Sequence, residues 1–173
     1  MRLLKSHIHS DIQDLDGSIL HRRATRAIAL RGAQILLLYT KYYDDYSLPG
    51  GGLDEGEELV EGLVRELQEE TGALNIQVGK SFGLYEEYRP WYKPEHDIIH
   101  IESYCYVCEV DFELGKTRLE DYEKSNGMVP MWVDIHEALT HNKRQIDSGQ
   151  AKGMSIQRET FLLERVTEEL LAR

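Results

Sequence analysis

Residues 51–73 of this 173-residue chain, GGLDEGEELVEGLVRELQEETGA, carry its clearest structural pattern. The first two of these residues and the preceding Gly50 form a run of three glycines, which lets the backbone approach a ligand closely. Residues 57–71 then predict a helix, and Gly72 is suited to a left-handed cap at its end. We therefore expect a glycine-rich loop that leads into one well-defined helix.

Acidic side chains line one face of this predicted helix. Glu66, Glu69 and Glu70 stand at positions i, i+3 and i+4, where side chains are neighbours. Like charges at this spacing repel one another, and a hard cation such as Mg²⁺ or Mn²⁺ would reverse that repulsion. Gly62 lies one turn earlier and is expected to leave room for a ligand or metal. From the helix alone, a solvated acidic face and a metal site remain equally open.

An apolar stripe lies beside these carboxylates. Its members are Val60, Leu63, Val64 and Leu67. They predict that the helix packs on a sheet while the carboxylates face a cleft. Strands are expected over residues 24–30, 34–40, 76–88, 98–112 and 131–133, loops over 89–94 and 113–129, and a helix over 135–139 capped by Asp134. Strands that bracket a central helix favour an α+β layered domain.

Residues 51–73 contain glycine, acidic, arginine and aliphatic residues at a specific spacing. Gly51 is followed after five residues by Glu57, and after seven more by Arg65 and Glu66. The next matches are Leu67, Glu69, Glu70 and Gly72. This pattern resembles the Nudix box, which is G, five residues, E, seven residues, then R-E-U-x-E-E-x-G-U with U a bulky aliphatic residue. Only Ala73 departs from it, at a position that packs rather than reacts.

The resemblance implies a Nudix hydrolase whose fold is an α/β/α sandwich with a mixed sheet. It also implies hydrolysis of a nucleoside diphosphate linked to another moiety, with Mg²⁺ or Mn²⁺ as cofactor. The implied metal ligands are Glu66, Glu69, Glu70, Glu57 and the carbonyl of Gly51. Arg65 would hold a box carboxylate, Glu57 in particular, rather than touch the substrate. These four glutamates and Arg65 form the predicted catalytic set.

The resemblance leaves the general base open between a box glutamate and a glutamate from a later segment. Glu120 and Glu123 lie in the predicted loop over 113–129, and Glu102 lies in the preceding strand. The first two are also candidates for contact with the substrate. Each of the three is otherwise an ordinary surface acid.

An aromatic stretch, residues 85–92, follows the box. Tyr88, Arg89 and Trp91 would stack a nucleobase and pair with a phosphate, or else the rings cover the end of a strand. In Nudix proteins a proline in this region is typical of ADP-sugar hydrolases, and a tyrosine of dinucleoside polyphosphate hydrolases. Tyr88, Pro90 and Tyr92 occur together here, so this marker does not choose between the substrates.

Three functions therefore remain open. Hydrolysis of ADP-ribose or a related nucleotide sugar is slightly favoured over hydrolysis of a nucleoside triphosphate or a dinucleoside polyphosphate. The third is a Nudix module that senses a nucleotide without cleaving it. Such modules usually lose box glutamates, whereas all four are present in this chain.

The charge of the chain is unevenly distributed. Its net charge is −11, and residues 51–73 alone, with eight acids and one arginine, carry −7. A strongly negative chain disfavours nucleic-acid polymers and anionic membranes as partners. Because the acidity is concentrated where cations are expected, it points to a small nucleotide bridged to the protein by metal.

Length and cysteine content predict one cytoplasmic domain over residues 1–173, with an N-terminal arm over 1–20 and a C-terminal helix over 155–172. The arm or the apolar stripe of that helix would support a homodimer. Cys105 and Cys108 are three apart in a strand, on opposite faces, so we expect core cysteines rather than a zinc or redox pair. The pairs His7/His9 and His96/His100 have no neighbouring ligands at a recognisable spacing, so we expect these four histidines on the surface or in loops rather than at a metal.

Overall fold

The computed structural model describes residues 1–171 and has helices on both sides of a mixed sheet. The strands are β1 (Leu3–Ile8), β2 (Ile19–Arg31), β3 (Gln34–Thr40), β4 (Asp45–Ser47), β5 (Gln77–Pro90), β6 (Ile98–Glu109) and β7 (Met128–Asp134). The helices are α1 (Leu59–Thr71), α2 (Asp121–Ser125), α3 (Ile135–Asp147) and α4 (Ile156–Val166), which continues as the π-helical segment Thr167–Leu171.

The order of strands in the sheet is β1-β5-β6-β2-β3-β4, with β7 also paired to β3. β1 runs parallel to β5 and β2 parallel to β6, while the other pairs are antiparallel. β2 and β3 pair only at Leu30–Ile35 and Arg31–Gln34, although β2 has 13 residues. The rest of β2 is free to diverge from β3, and the candidate site lies along this divergent part.

Two hydrophobic clusters cover the two faces of the sheet. One joins Tyr85, Cys105 and Leu162 with residues of α3 and α4, and the other joins Leu67 and Cys108 with the inner side of α1. Both cysteines are buried and free, as predicted, and they belong to different clusters because they point to opposite faces of β6. The arrangement confirms the α+β class and the α/β/α sandwich.

The apolar stripe of α1 is narrower than the sequence predicts. Leu63 and Leu67 are fully buried, but Val60 is 45% exposed. Near the start of α1, the side chain of Leu53 covers Gly62, and the α1 residues that join the core cluster on the sheet are Leu63 and Leu67. A Cβ atom at Gly62 would lie 2.3 Å from the Leu53 side chain. The prediction that Gly62 leaves room for a ligand or metal is therefore wrong.

Several boundaries differ from the sequence prediction. β5 continues through residues 89 and 90, which were expected in a loop, because they pair with β6. The predicted loop over 113–129 contains α2, which forms on a capping box between Glu120 and Glu123. Asp134 caps α3 as predicted, by accepting hydrogen bonds from the backbone N–H groups of His136 and Glu137 at 2.8 and 3.2 Å. Buried polar residues later in α3 extend that helix to residue 147.

The two ends of the chain also pack on the domain. Residues 3–8, within the predicted N-terminal arm, supply β1 to the edge of the sheet. The helix predicted over 155–172 is present from residue 156 through the π-helical segment, and residue 172 lies outside the described residues. No helix in the described part of the chain is both long and apolar enough to cross a membrane.

Candidate active site

The glycine-rich loop is fastened to β2 by its backbone. The N–H groups of Thr25 and Ala27 donate to the carbonyls of Gly51 and Pro49 at 3.0 and 2.8 Å. Gly50 has a φ of +140°, and a Cβ atom there would lie 2.0 Å from the carbonyl oxygen of Thr25. Only glycine permits this close approach.

Arg65 gathers the outer box carboxylates. Its Nε and Nη2 atoms donate to the two carboxylate oxygens of Glu57 at 2.7 and 2.9 Å, as the resemblance implied. Its Nη1 atom donates to Glu66 at 2.9 Å and to Glu69 at 3.3 Å. The hydrogen bonds from Arg65 hold the pKa of Glu57 at about 2. One guanidinium thus donates hydrogen bonds to three box carboxylates.

Glu70 lies apart from that group and deeper in the protein. Its side chain accepts a hydrogen bond from the backbone N–H of Gly50 at 2.7 Å, and the residue is only 5% exposed. Burial raises the pKa of Glu70 well above its usual value, and burial also raises the pKa of Glu66. Burial thus disfavours the charged form of both carboxylates, and a bound cation would offset that cost.

The chemistry of these donors fits a hard divalent cation. The carboxylates of Glu66, Glu69 and Glu70 offer an all-oxygen set of the kind that Mg²⁺ and Mn²⁺ prefer. Within residues 1–171, no three acidic, histidine or cysteine side chains converge as a metal cluster. Glu66 and Glu69 instead turn to Arg65. The carbonyl of Gly51, the other predicted ligand, accepts its hydrogen bond from Thr25.

A cleft of about 570 Å³ opens beside Glu70, in the size range of small-molecule sites. The divergent part of β2 lines it together with β4, the glycine-rich loop and the segment 152–155. Its acidic side chains are Asp45, Glu70, Glu123 and Glu159, and its cationic ones are Arg22, Arg26, Arg89, Lys152 and Arg158. The carboxylates of Glu57, Glu66 and Glu69 lie outside this lining.

Glu123 reaches the cleft because the segment after β6 docks on the end of α1. The N–H groups of Gly115 and Arg118 donate to the carbonyls of Gly72 and Glu69, both at 2.7 Å. α2 follows, and places Glu123 in the cleft wall with 5% exposure.

The other two candidates for the general base are placed differently. Glu120 is exposed and caps α2, and Glu102 is absent from the cleft lining. Of the three candidates outside the box, the structure brings only Glu123 to the cleft.

The aromatic stretch divides between the cleft and the rest of the protein. Arg89, Trp91 and Tyr92 line the cleft, whereas Tyr85 is buried in the core. Tyr88 stacks instead on His100, with 4.3 Å between ring centroids. Alternation along β5 thus separates Tyr88 from Arg89, and the structure does not bring Tyr88 to the other substrate candidates.

The expectation that His100 lies on the surface or in a loop is wrong. It is 8% exposed within β6, and its Nε2 atom lies 3.0 Å from a carboxylate oxygen of Glu86. Its Nδ1 atom lies 3.0 Å from Nδ1 of His21, its register partner in β2. The cross-strand pairing buries this ring, and a single sequence does not reveal such pairing.

A buried ionic network forms the floor of the cleft, and the sequence analysis did not find it. Arg158 contacts Glu87 and also donates to Glu159 through Nε and Nη2 at 2.9 and 2.7 Å. Arg89 donates to Glu87 at 2.8 and 3.0 Å. Burial would raise the pKa of Glu87, but Arg158 and Arg89 outweigh it and lower that pKa. Burial, with the charge of Glu159, raises the pKa of neighbouring Asp45 to about 6.

Some of these residues did carry a signal in the sequence. Arg26 is the only charged residue of the segment 24–30 in β2, and its neighbours Thr25 and Ala27 are buried, which is an unusual place for a charge. Arg158 and Glu159 stand in an amphipathic helix and look like an ordinary solvated pair. Only the first of these two patterns could have been recognised.

Comparison with known proteins gives a consistent family assignment. A family model described as the NUDIX domain matches residues 20–153. Among solved structures, a NUDIX hydrolase from Nitrosomonas europaea has a TM-score of 0.57 at 16% identity, covering 85% of this chain and 88% of that one. The E. coli ORF135 protein has a TM-score of 0.53 at 22% identity, covering 88% and 93%. These structural similarities concern the fold.

Curated relatives match over shorter segments. A putative 8-oxo-dGTP diphosphatase of Bacillus subtilis (strain 168) is 40% identical over 65 residues, 38% of this chain and 42% of the relative. The human diphosphoinositol polyphosphate phosphohydrolase 3-alpha is 32% identical over 107 residues, 61% and 57% of the two chains. An RNA pyrophosphohydrolase of Bartonella henselae is 49% identical over 41 residues, 24% of each. The matches thus span less than two thirds of each relative's length.

Proposed function

This chain belongs to the NUDIX domain family, and from that premise we propose that it hydrolyses a phosphoanhydride bond in a small nucleotide. The observation that carries the proposal is that three features line the same cleft. They are the buried carboxylate of Glu70, the glycine-rich loop that binds it, and Glu123 on the facing segment. The relatives named as diphosphatase and pyrophosphohydrolase support the same class of reaction.

The residues of α1 would hold the metal. Glu66, Glu69 and Glu70 supply carboxylate oxygens, and Glu57 keeps Arg65 in place beside them. When bound, Mg²⁺ or Mn²⁺ would neutralise phosphate oxygens and lower the pKa of a bound water. Arg65 limits the repulsion among the carboxylates before the cation arrives.

Glu123 is our proposed general base. Of the three candidates outside the box, it is the one in the cleft lining, and its Oε2 atom accepts a hydrogen bond from the N–H of Glu120 at 2.7 Å. That bond fixes the side chain, while proton transfer requires it to lie near the attacking water. The proton of the water would pass to Glu123 as the new P–O bond forms and the phosphoanhydride bond breaks.

The cleft favours a nucleotide with a further moiety as the substrate. Trp91 and Tyr92 offer rings at the wall, with 4.4 Å between their centroids, and stacking on such rings suits any base. We favour ADP-ribose or a related nucleotide sugar. Nucleoside triphosphates and dinucleoside polyphosphates are the alternative substrates, and the net charge of −11 disfavours an RNA polymer. The cytoplasmic location and the homodimer stay predictions.

A hydrolysis panel tests this proposal. The purified protein would be incubated with Mg²⁺ and ADP-ribose, other nucleotide sugars, nucleoside triphosphates, dinucleoside polyphosphates or a diphosphoinositol polyphosphate, and the products resolved by chromatography. We expect turnover of at least one nucleotide, abolished by chelation of the metal. Tight binding of a nucleotide without turnover of any compound would instead support the sensing module and overturn the proposal.

A further inference from the structure

Four arginines near the cleft use their guanidinium groups differently. In Arg65, Arg89 and Arg158 the edge formed by Nε and Nη2 donates to a carboxylate of this chain, with distances between 2.7 and 3.0 Å. This edge is the fork that matches carboxylate and phosphate oxygens in a bidentate pair. Arg26 is the exception among these four. A fifth arginine of the cleft lining, Arg22, also has no hydrogen bond to a described residue, but it is exposed, whereas Arg26 has a fork atom, Nε, that is buried.

Arg26 is held through its Nη1 atom, which lies outside the edge formed by Nε and Nη2. Its Nη1 atom donates to the carbonyl of Gly50, and to that of Thr25 at 3.3 Å. Its Nε atom is buried without a hydrogen-bond partner, and neither Nε nor Nη2 bonds to any described residue. A buried donor without a partner costs free energy that an incoming acceptor would recover. The fork of Arg26 is thus oriented by the protein and unused by it.

The cleft acids Glu70 and Glu159 accept hydrogen bonds from groups other than Arg26. Glu70 accepts from the N–H of Gly50, and Glu159 accepts from Arg158 with one oxygen and from the N–H of Leu48 with the other. Arg26 itself belongs to the lining of the cleft. Its fork is therefore available to an oxygen anion that enters from the cleft.

The position of Arg26 indicates which part of a ligand it would meet. Gly50 donates its N–H to Glu70 and accepts from Arg26 with its carbonyl, so one peptide unit links the two groups. We propose that Arg26 binds a phosphoryl group of the substrate through its Nε–Nη2 fork, next to the phosphoanhydride that is cleaved. This inference rests on the proposed function, because it takes the ligand to be a diphosphate ester.

Binding of inorganic pyrophosphate tests the inference without any hydrolysis. Calorimetry in the presence of a chelator would compare wild-type protein with the Arg26→Lys variant, which keeps the charge and loses the fork. The matched control is Arg31→Lys, on the same strand, whose guanidinium lies over the rings of Phe112 and Trp132. We expect affinity about tenfold weaker for Arg26→Lys, the scale of a lost charged hydrogen bond, and unchanged affinity for Arg31→Lys.

A second measurement needs only the wild-type protein. The ¹H–¹⁵N signal of Arg26 Nε, assigned through its side-chain carbons, should shift as pyrophosphate is added, while that of Arg31 should not. Absence of pyrophosphate binding, an unmoved Arg26 signal, or affinity of Arg26→Lys within twofold of wild type would each overturn the inference.

The two proposals can fail separately. If Arg26 binds pyrophosphate but no compound in the panel is hydrolysed, the proposed function fails and the anion site stands. If hydrolysis occurs and the Arg26→Lys variant keeps the wild-type KM, the function stands and the role of Arg26 is wrong.

Discussion

Two groups of charged residues, the box and the floor network of the cleft, differ in their ratio of cations to anions. In the box, one guanidinium, that of Arg65, serves the carboxylates of Glu57, Glu66 and Glu69. In the floor of the cleft, Arg89 and Arg158 share Glu87 and Glu159, so cations and anions are equal in number. The first group is short of positive charge, and the second is already balanced.

The excess of carboxylates suits the box to bind a cation, whereas the balanced network in the floor of the cleft stabilises the fold. A set of carboxylates with too few cations attracts a metal ion, and its charges are costly until one arrives. A balanced buried network gains nothing from a ligand and loses much when a member is removed. Arg26 belongs to neither group: its Nη1 atom donates to the carbonyl of Gly50, whose N–H donates to Glu70, and its fork has no partner among the described residues.

Removal of Arg158 should produce the largest change in stability. Arg158→Leu would leave the buried carboxylates of Glu87 and Glu159 without their shared partner, and we expect a loss of about 3–5 kcal/mol in the free energy of unfolding. Urea unfolding would measure it. Arg165→Leu is the control, since Arg165 pairs with exposed Glu168 and half-buried Glu169 near the surface, where ion pairs contribute about 1 kcal/mol or less. Equal losses in the two variants would show that the floor network does not carry the stability assigned to it.

The Glu70→Gln variant should separate activity from stability. We expect turnover to fall about a hundredfold or more because a metal-binding oxygen loses its charge. The melting temperature should not fall, since the amide oxygen can still accept from Gly50 and burial opposes the charged form of Glu70. Glu61→Gln, an exposed change on the same helix, is the control. A variant of Glu70 with wild-type turnover would remove it from the site.

A smaller effect should appear in the pH dependence of stability. Because the pKa of Asp45 is raised to about 6, its neutral form stabilises the fold at about pH 4, and this contribution is lost as pH rises through 6. Relative to Asp45→Asn, the wild type should therefore lose about 2 kcal/mol of unfolding free energy between pH 4 and pH 7. The exposed Asp147→Asn variant should show no such trend. A constant difference between wild type and Asp45→Asn would mean that Asp45 titrates normally.

The sequence predicts most of the fold because its strongest signals are local. The helix with its Gly72 cap, the cap at Asp134 and the opposite faces of Cys105 and Cys108 all depend on residues a few positions apart. The sequence does not predict the exposure of Val60 or the burial of His100, because both depend on how other segments of the chain pack against these residues. Leu53 occupies the space over Gly62, and His21 pairs with His100 across two strands.

In the candidate site, too, the sequence predicts contacts within one motif but not those that depend on packing between segments. The pairing of Arg65 with Glu57 follows from spacing within one motif. The choice of Glu123 over Glu120 required the docking of the segment 113–120 on the end of α1, which no local pattern encodes. The role proposed for Arg26 depends on which of its donor atoms already have partners, and only the folded chain supplies that information.

Binding of Mn²⁺, measured by electron paramagnetic resonance, tests directly whether the box is a cation site. Free Mn²⁺ would be titrated with wild-type protein, Glu70→Gln and the control Glu61→Gln. We predict binding to wild type and Glu61→Gln, and affinity at least about tenfold weaker for Glu70→Gln, the scale of losing one charged ligand. Equal binding by all three proteins would contradict the account.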